Sequence, residues 1–261
     1  MNILEQIIES KKRSLAEKKD WYSIKKLEAS AFFDRECESL VKRLNSVDTT
    51  GIIAEFKRRS PSKGIINDKA DIADVVSDYE NYGAAGISVL TDEEYFGGTN
   101  EDMLKARESV DIPLLRKDFI IDEYQVVEAR SIGADVILLI AACLTPPEVK
   151  RLAGLAKNLG LEVLLELHAE EELGHICEGI DLVGINNRDL KTFKVDMERS
   201  LRMAEQIPAD KIKISESGIS DMETIKRFKK AGFKGFLIGE TFMKEEDPGK
   251  AFEEFVNNLK Q

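Results

Sequence analysis

The chain has 261 residues, 43% apolar and 33% charged, with 49 acidic and 38 basic side chains and a formal net charge of −11. This balance excludes a disordered or low-complexity chain and argues against general nucleic-acid binding, which needs a basic surface. No apolar run approaches the ~18–20 residues of a membrane helix. Residues 1–21 carry Glu5, Glu9, Glu17 and Asp20, so a secretory signal is not expected. Cys37, Cys143 and Cys177 show no paired metal spacing, and His168 and His175 are the only histidines. A disulfide framework, a metal site and His-based catalysis are therefore not expected, and a reducing cytoplasm is.

Residues 1–48 read as an N-terminal helical extension packed on the rest of the chain, because Ile3, Leu4, Ile7, Ile8 and Leu15 have amphipathic helical spacing. The run Lys11-Lys12-Arg13 is interleaved with Glu and reads as a solvated helix face. A rhythm then begins. Short apolar runs recur at 51–56 (GIIAEF), 86–91 (GISVLT), 113–119 (PLLRKDF), 136–141 (VILLIA), 162–167 (EVLLEL), 182–187 (LVGINN), 211–217 (KIKISES) and 235–240 (GFLIGE). Several are nearly continuous, as parallel strands buried on both faces are. Between them lie helical patterns. Ile72, Val75, Val76 and Tyr79 fall on one face, Thr145-Pro146-Pro147-Glu148 opens a helix, and Ser220-Asp221-Met222-Glu223 reads as a capping box. Gly83, Gly133, Gly160 and Gly232 each precede a strand, where a helix stops in the left-handed conformation. Eight such units without a break predict an α/β fold, one (β/α)8 barrel domain over 1–261 with 1–48 as its extension. A doubly wound open sheet is the rival, but the chain lacks a Gly-x-Gly-x-x-Gly fingerprint.

In a barrel the active site gathers at the C-terminal strand ends. There the sequence places Glu55 and Lys57 (first strand), Lys117 (third), Glu166 (fifth), Asn186 and Arg188 (sixth), Glu216 (seventh) and Glu240 (eighth). Each charge alone is explained by a rim salt bridge, but several at one end of a barrel carry a large desolvation cost. Phe96, with Leu138 and Ile140, supplies an apolar sector. This mouth suits a phosphorylated substrate with an aromatic part. Ser217-Gly218 and Ile238-Gly239 follow the seventh and eighth strands, where barrels often hold phosphate on backbone N–H groups. The basic loop Arg58-Arg59-Ser60-Pro61-Ser62-Lys63-Gly64 reads as a flap carrying positive charge over an anionic ligand, and His168 reads as structural.

These residues resemble a family. Ile53-Ala54-Glu55-Phe56-Lys57-Arg58-Arg59-Ser60-Pro61-Ser62 is similar to the first-strand signature of indole-3-glycerol phosphate synthases. Leu115-Arg116-Lys117-Asp118-Phe119, Leu165-Glu166, Gly184-Ile185-Asn186-Asn187-Arg188-Asp189-Leu190 and Ser215-Glu216-Ser217-Gly218-Ile219 agree in order. The resemblance implies ring closure of 1-(2-carboxyphenylamino)-1-deoxyribulose 5-phosphate to indole-3-glycerol phosphate, carbon dioxide and water, without metal or organic cofactor. By it, Lys117 is the general acid of ring closure, and Glu166, partnered by Lys57, serves dehydration. Glu55 orients the lysines, and Asn186 and Glu216 bond substrate hydroxyl and carboxylate groups. Ser60, Ser217, Gly218 and Gly239 hold phosphate. Phe96, Phe119, Leu138 and Leu190 clamp the aromatic ring, with Arg188 behind. Many family members have a small hydroxyl residue where this chain has Glu240, so only its backbone N–H is expected at the phosphate, with the side chain turned away. Lys57 and the apolar wall are expected to lower the Lys117 pKa, against Glu55. The partners implied are a small anionic substrate, no nucleic acid and no membrane, for a monomer or weak homo-oligomer. Another phosphate-handling barrel such as a sugar-phosphate isomerase, a Schiff-base aldolase using Lys117, and a non-catalytic binding barrel are the competing readings.

Overall fold

A computed structural model of the chain describes residues 2–189 and 194–259. Eight parallel strands close into a barrel: β1 (Ile52–Phe56), β2 (Gly86–Leu90), β3 (Leu114–Lys117), β4 (Val136–Ile140), β5 (Glu162–Leu167), β6 (Leu182–Asn186), β7 (Ile212–Glu216) and β8 (Phe233–Ile238). Closure is the parallel pairing of β1 with β8, Ile53 opposite Leu237. The eighth strand starts two residues earlier than its sequence pattern indicates, so Glu240 opens a short helix, Glu240–Met243, instead of ending the strand. Gly83, Gly133, Gly160 and Gly232 all have positive φ, as the stop signals require. Asp221, not Ser220, caps the helix Met222–Lys230, its carboxylate accepting from the Thr224 N–H.

Alternation along the strands sorts the core. Ile52, Ala54, Ile87 and Leu114 pack outward under the helices, whereas Ile53, Leu115, Leu164 and Ile214 fill the barrel interior. Leu40 and Leu44, from the helix Leu40–Asn45, pack into that interior cluster. Two residues above the interior set, on the same face, stand Glu55, Lys117, Glu166 and Glu216, one from each odd strand. The register makes them one layer. Glu55 is opposite Ser88, Ser88 opposite Leu115, and Lys117 lies two residues further. The same step leads from Lys117 to Glu166, then to Glu216, and back to Glu55. Barrel layers of four side chains from alternate strands are normally branched and apolar. Here the uppermost odd-strand layer is ionic.

The N-terminal helix Ile3–Trp21 begins at Asn2 in a capping box with Glu5. It lies across the mouth of the barrel, where Ile3, Leu4 and Ile7 line the same cavity as the ionic layer. Among the described residues no helix is long and apolar enough to cross a membrane.

Candidate active site

The ionic layer forms the floor of a cavity of about 410 Å³ at the C-terminal end of the barrel. Lys117 Nζ is 3.0 Å from Glu166 Oε2 and 3.6 Å from Glu216 Oε2. Lys57 Nζ is 2.6 Å from Glu55 Oε1. Glu166 is therefore ion-paired with Lys117, and Lys57 with Glu55. The reason is the layer geometry: Lys117 and Glu166 are neighbours in one layer, and Lys57 sits two residues above Glu55 on the same strand face.

These pairings set the charges. Burial alone would lower the Lys117 pKa, but Glu166, Glu216 and Glu55 outweigh it and hold the ammonium charged, well above its ordinary value. The expected depression by Lys57 does not occur, because three carboxylates face Lys117. Burial disfavours the charge on Glu166, yet Lys117 overcomes it and keeps its carboxylate well below the usual range. Glu216 moves the other way. Burial and the adjacent Glu166 push it well above the ordinary value. The layer thus holds an ionised Lys–Glu pair beside a carboxyl group biased towards its protonated form.

The Asn186 side-chain amide donates to Glu166 Oε1 (3.4 Å), and its carbonyl accepts from the Arg188 N–H (3.0 Å). His168, expected to be structural, reaches the cavity: Nε2 is 3.1 Å from Glu166 Oε1 but too poorly aligned for a hydrogen bond. On the apolar side Phe96 and Phe119 face each other with ring centroids 6.0 Å apart, and Leu90, Leu138 and Ile140 continue the wall.

Opposite this wall is the Ser217-Gly218 turn. Ser217 has φ +68° and Gly218 φ +72°, so two successive residues are left-handed, which turns the chain sharply at the strand end. The strain in Ser217 is held by Asn187, a fully buried residue to which the sequence pattern assigns no role. Its amide donates to the Ser217 carbonyl (2.8 Å) and to Ser215 Oγ (3.1 Å). Gly239 lines the cavity beside this turn, and a Cβ there would lie 2.8 Å from Glu55 Oε1, so no side chain fits.

The basic loop departs from its expected role. Arg58 makes a two-pronged pair with Asp102 (2.7 and 2.8 Å), and Arg59 donates to the Glu93 and Glu94 carbonyls. Both arginines anchor the loop to the β2 side and do not line the cavity; Ser60, Pro61 and Ser62 do. Glu240 lines the rim, its carboxylate 3.1 Å from Lys63 Nζ and 3.6 Å from Arg188 Nη2. Of the residues singled out from sequence, Glu55, Lys57, Ser60, Phe96, Lys117, Phe119, Leu138, Glu166, Asn186, Arg188, Glu216, Ser217, Gly218, Gly239 and Glu240 share this one cavity. Leu190 lies outside the described residues.

The fold is shared with solved structures of low sequence identity. One is 3-hexulose-6-phosphate synthase from Salmonella typhimurium (TM-score 0.64, 13% identity, 81% of this chain and 99% of that one). Another comes from the tryptophan synthase complex of Pyrococcus furiosus (TM-score 0.60, 15% identity, 80% and 97%). Sequence relatives are much nearer. An indole-3-glycerol phosphate synthase of Bacteroides thetaiotaomicron is 49% identical over 258 residues, 99% of each chain. One from Salinibacter ruber is 45% identical over 254 residues, 96% of this chain and 94% of that one. A family model described as indole-3-glycerol phosphate synthase matches residues 4–255. The chain belongs to the indole-3-glycerol phosphate synthase family.

Proposed function

We propose that this barrel, with its N-terminal extension as part of the same unit, closes the indole ring of 1-(2-carboxyphenylamino)-1-deoxyribulose 5-phosphate. The observation that carries the reading is the position of Lys117: a half-buried, charged lysine between an aromatic wall and a backbone turn suited to phosphate. The phosphate sits on backbone N–H groups at Ser217-Gly218 and Gly239-Glu240, with the Ser60 hydroxyl above it. The anthranilate ring lies against Phe96, Phe119 and Leu138. This stretches the substrate over the ionic layer.

The ring carbon bearing the carboxylate attacks the ketone carbon. The C=O electron pair moves onto oxygen, and Lys117 gives that oxygen a proton as negative charge develops. The C–CO2⁻ bond then breaks, its electrons restoring the aromatic ring, and carbon dioxide leaves. Next the new hydroxyl departs as water with a proton from Lys57, while ionised Glu166 removes a proton from the adjacent methylene to form the indole double bond. Two protons are given and one taken, which matches the conversion of a carboxylate into neutral carbon dioxide. Glu55 holds Lys57, and Asn186 and Glu216 bond the substrate's hydroxyl groups, with Arg188 behind them. The environment that keeps Lys117 protonated also opposes imine formation, which needs the free amine.

The substrate is a small phosphorylated anion, and we place the protein in the cytoplasm as a monomer or weak homo-oligomer. Its three unpaired cysteines suit a reducing compartment. Mixing the protein with the anilino-ribulose phosphate and following indole fluorescence tests the reading. Indole fluorescence that rises with enzyme concentration supports it; none anywhere between about pH 6 and 9 rejects it.

A further inference from the structure

The lysine-rich face of the N-terminal helix is not wholly solvated. Ile3, Ile7, Lys11 and Leu15 are spaced four apart and form one inward stripe, in which Lys11 is the charged member. Its side chain is 12% exposed and its Nζ lies 2.7 Å from Asp118 Oδ1 and 2.9 Å from Asp92 Oδ2. Each of these carboxylates fixes one half of the aromatic wall. Asp118 follows Lys117 in the chain and accepts the Phe119 N–H (2.8 Å), the Thr91 hydroxyl (2.8 Å) and Arg116 Nη2 (3.1 Å). Asp92 accepts the Tyr95 N–H (2.8 Å) at the start of the turn Glu93–Phe96, which carries Phe96.

We infer that Lys11 is a positioning residue of this active site: one ammonium group, delivered by the N-terminal helix, sets the spacing of Phe96 and Phe119 and the end of β3 that carries Lys117. Without it, Asp118 keeps Arg116, but Asp92 faces it as a second buried anion with Lys11 gone from between them, and their repulsion drives the two loops apart. Burial opposes the charge on Asp118, and Lys11 together with Arg116 restores it. Lys11 touches neither the phosphate turn nor Glu166, so its influence falls on the aromatic end of the substrate. The inference rests on the ring-closure reading for its kinetic consequence and not for its structural one.

The test compares Lys11→Met with wild type in two ways. Kinetically, KM for the anilino-ribulose phosphate rises about tenfold and kcat falls about tenfold, while inhibition by inorganic phosphate, held on the far side, is unchanged. Lys11→Arg recovers most of both parameters. Independently of turnover, amide hydrogen exchange speeds up at Tyr95 and Phe119 but not at residues 218–240. Lys18→Met is the control. Lys18 also ties this helix to the barrel, 3.2 Å from Glu128, without reaching either aspartate, and this variant leaves KM unchanged. Equal losses in Lys18→Met, weakened phosphate inhibition in Lys11→Met, or wild-type exchange at Tyr95 and Phe119 would each overturn the inference. If Lys11→Met does not fold, Asp92→Asn replaces it, with a smaller rise in KM expected and unchanged KM contradicting. An inactive wild type rejects ring closure alone, because the exchange measurement still decides the role of Lys11.

Discussion

Replacing Lys117 with methionine removes the cation of the ionic layer while keeping its volume. At the observed 3.0 Å separation, the attraction between Lys117 and Glu166 is about 5 kcal/mol for an effective dielectric of about 20. Stripping the partner from a buried carboxylate typically costs about 3–5 kcal/mol. Glu166 has one escape, which is to take up a proton. In the variant its folded-state pKa therefore lies above the unfolded value of about 4.3. A group raised on folding has its stability fully present below the unfolded pKa and loses it as pH rises through the folded one. The destabilisation relative to wild type then grows by about 1.4 kcal/mol per pH unit above about pH 5, adding about 3 kcal/mol by about pH 7. Glu216, already raised by burial and Glu166, shifts further in the same direction. In the wild type the Lys117–Glu166 pair contributes no slope here, because Glu166 is held below and Lys117 above the window. Urea denaturation of both proteins at about pH 5, 6.5 and 8 measures the difference. A penalty of the same size at all three values, or none at the highest, would refute this linkage. Turnover falls at least ~100-fold at every pH, the low end for a lost general acid.

Other substitutions probe the remaining walls. Asn187→Ala leaves the strained Ser217 turn without its side-chain donor, and we expect a stability loss of about 1–3 kcal/mol with weaker phosphate inhibition, read by melting and by competition. Gly218→Val places a side chain on a residue with φ +72°, where its Cβ meets Val195 at 2.7 Å; phosphate inhibition weakens, and unchanged inhibition moves the phosphate site elsewhere. Glu240→Gln removes a rim anion from beside the proposed phosphate site. KM falls about two- to threefold at low salt and the advantage fades as salt is added; a raised KM would mean that the carboxylate is needed to hold Lys63 and Arg188. Phe119→Ala raises KM about tenfold through the lost ring contact, with phosphate inhibition intact.

The barrel is legible in the sequence because its strands are buried on both faces and so read as unbroken apolar runs, closed at one end by charges that such runs do not otherwise tolerate. Glu55, Lys117, Glu166 and Glu216 stand out for that reason, and the register converts their separate strand ends into one layer. Pairing within the layer is not legible. It depends on the shear of the barrel, which places Glu166 and not Lys57 beside Lys117. Arg58 and Arg59 look like ligand cations because sequence shows charge without direction. In the fold Asp102 and two backbone carbonyls turn them away. Lys11 misleads for the opposite reason: a lysine among lysines looks solvated until two aspartates, far along the chain and just past the ends of β2 and β3, meet it. Asn187 lies in a stretch that matches the family but its role is not legible there, since its task is to satisfy a backbone carbonyl that only the folded turn exposes.

Ring closure as proposed requires that the substrate's ketone face Lys117 while its phosphate occupies the Ser217-Gly218 turn. A crystal structure of Glu166→Gln with the anilino-ribulose phosphate bound tests this most directly. The ketone oxygen is expected within about 3.2 Å of Lys117 Nζ, with the phosphate on the backbone N–H groups of the turn and the ring against Phe96 and Phe119. A phosphate bound elsewhere, or a ketone oxygen directed away from Lys117, would contradict the proposed chemistry.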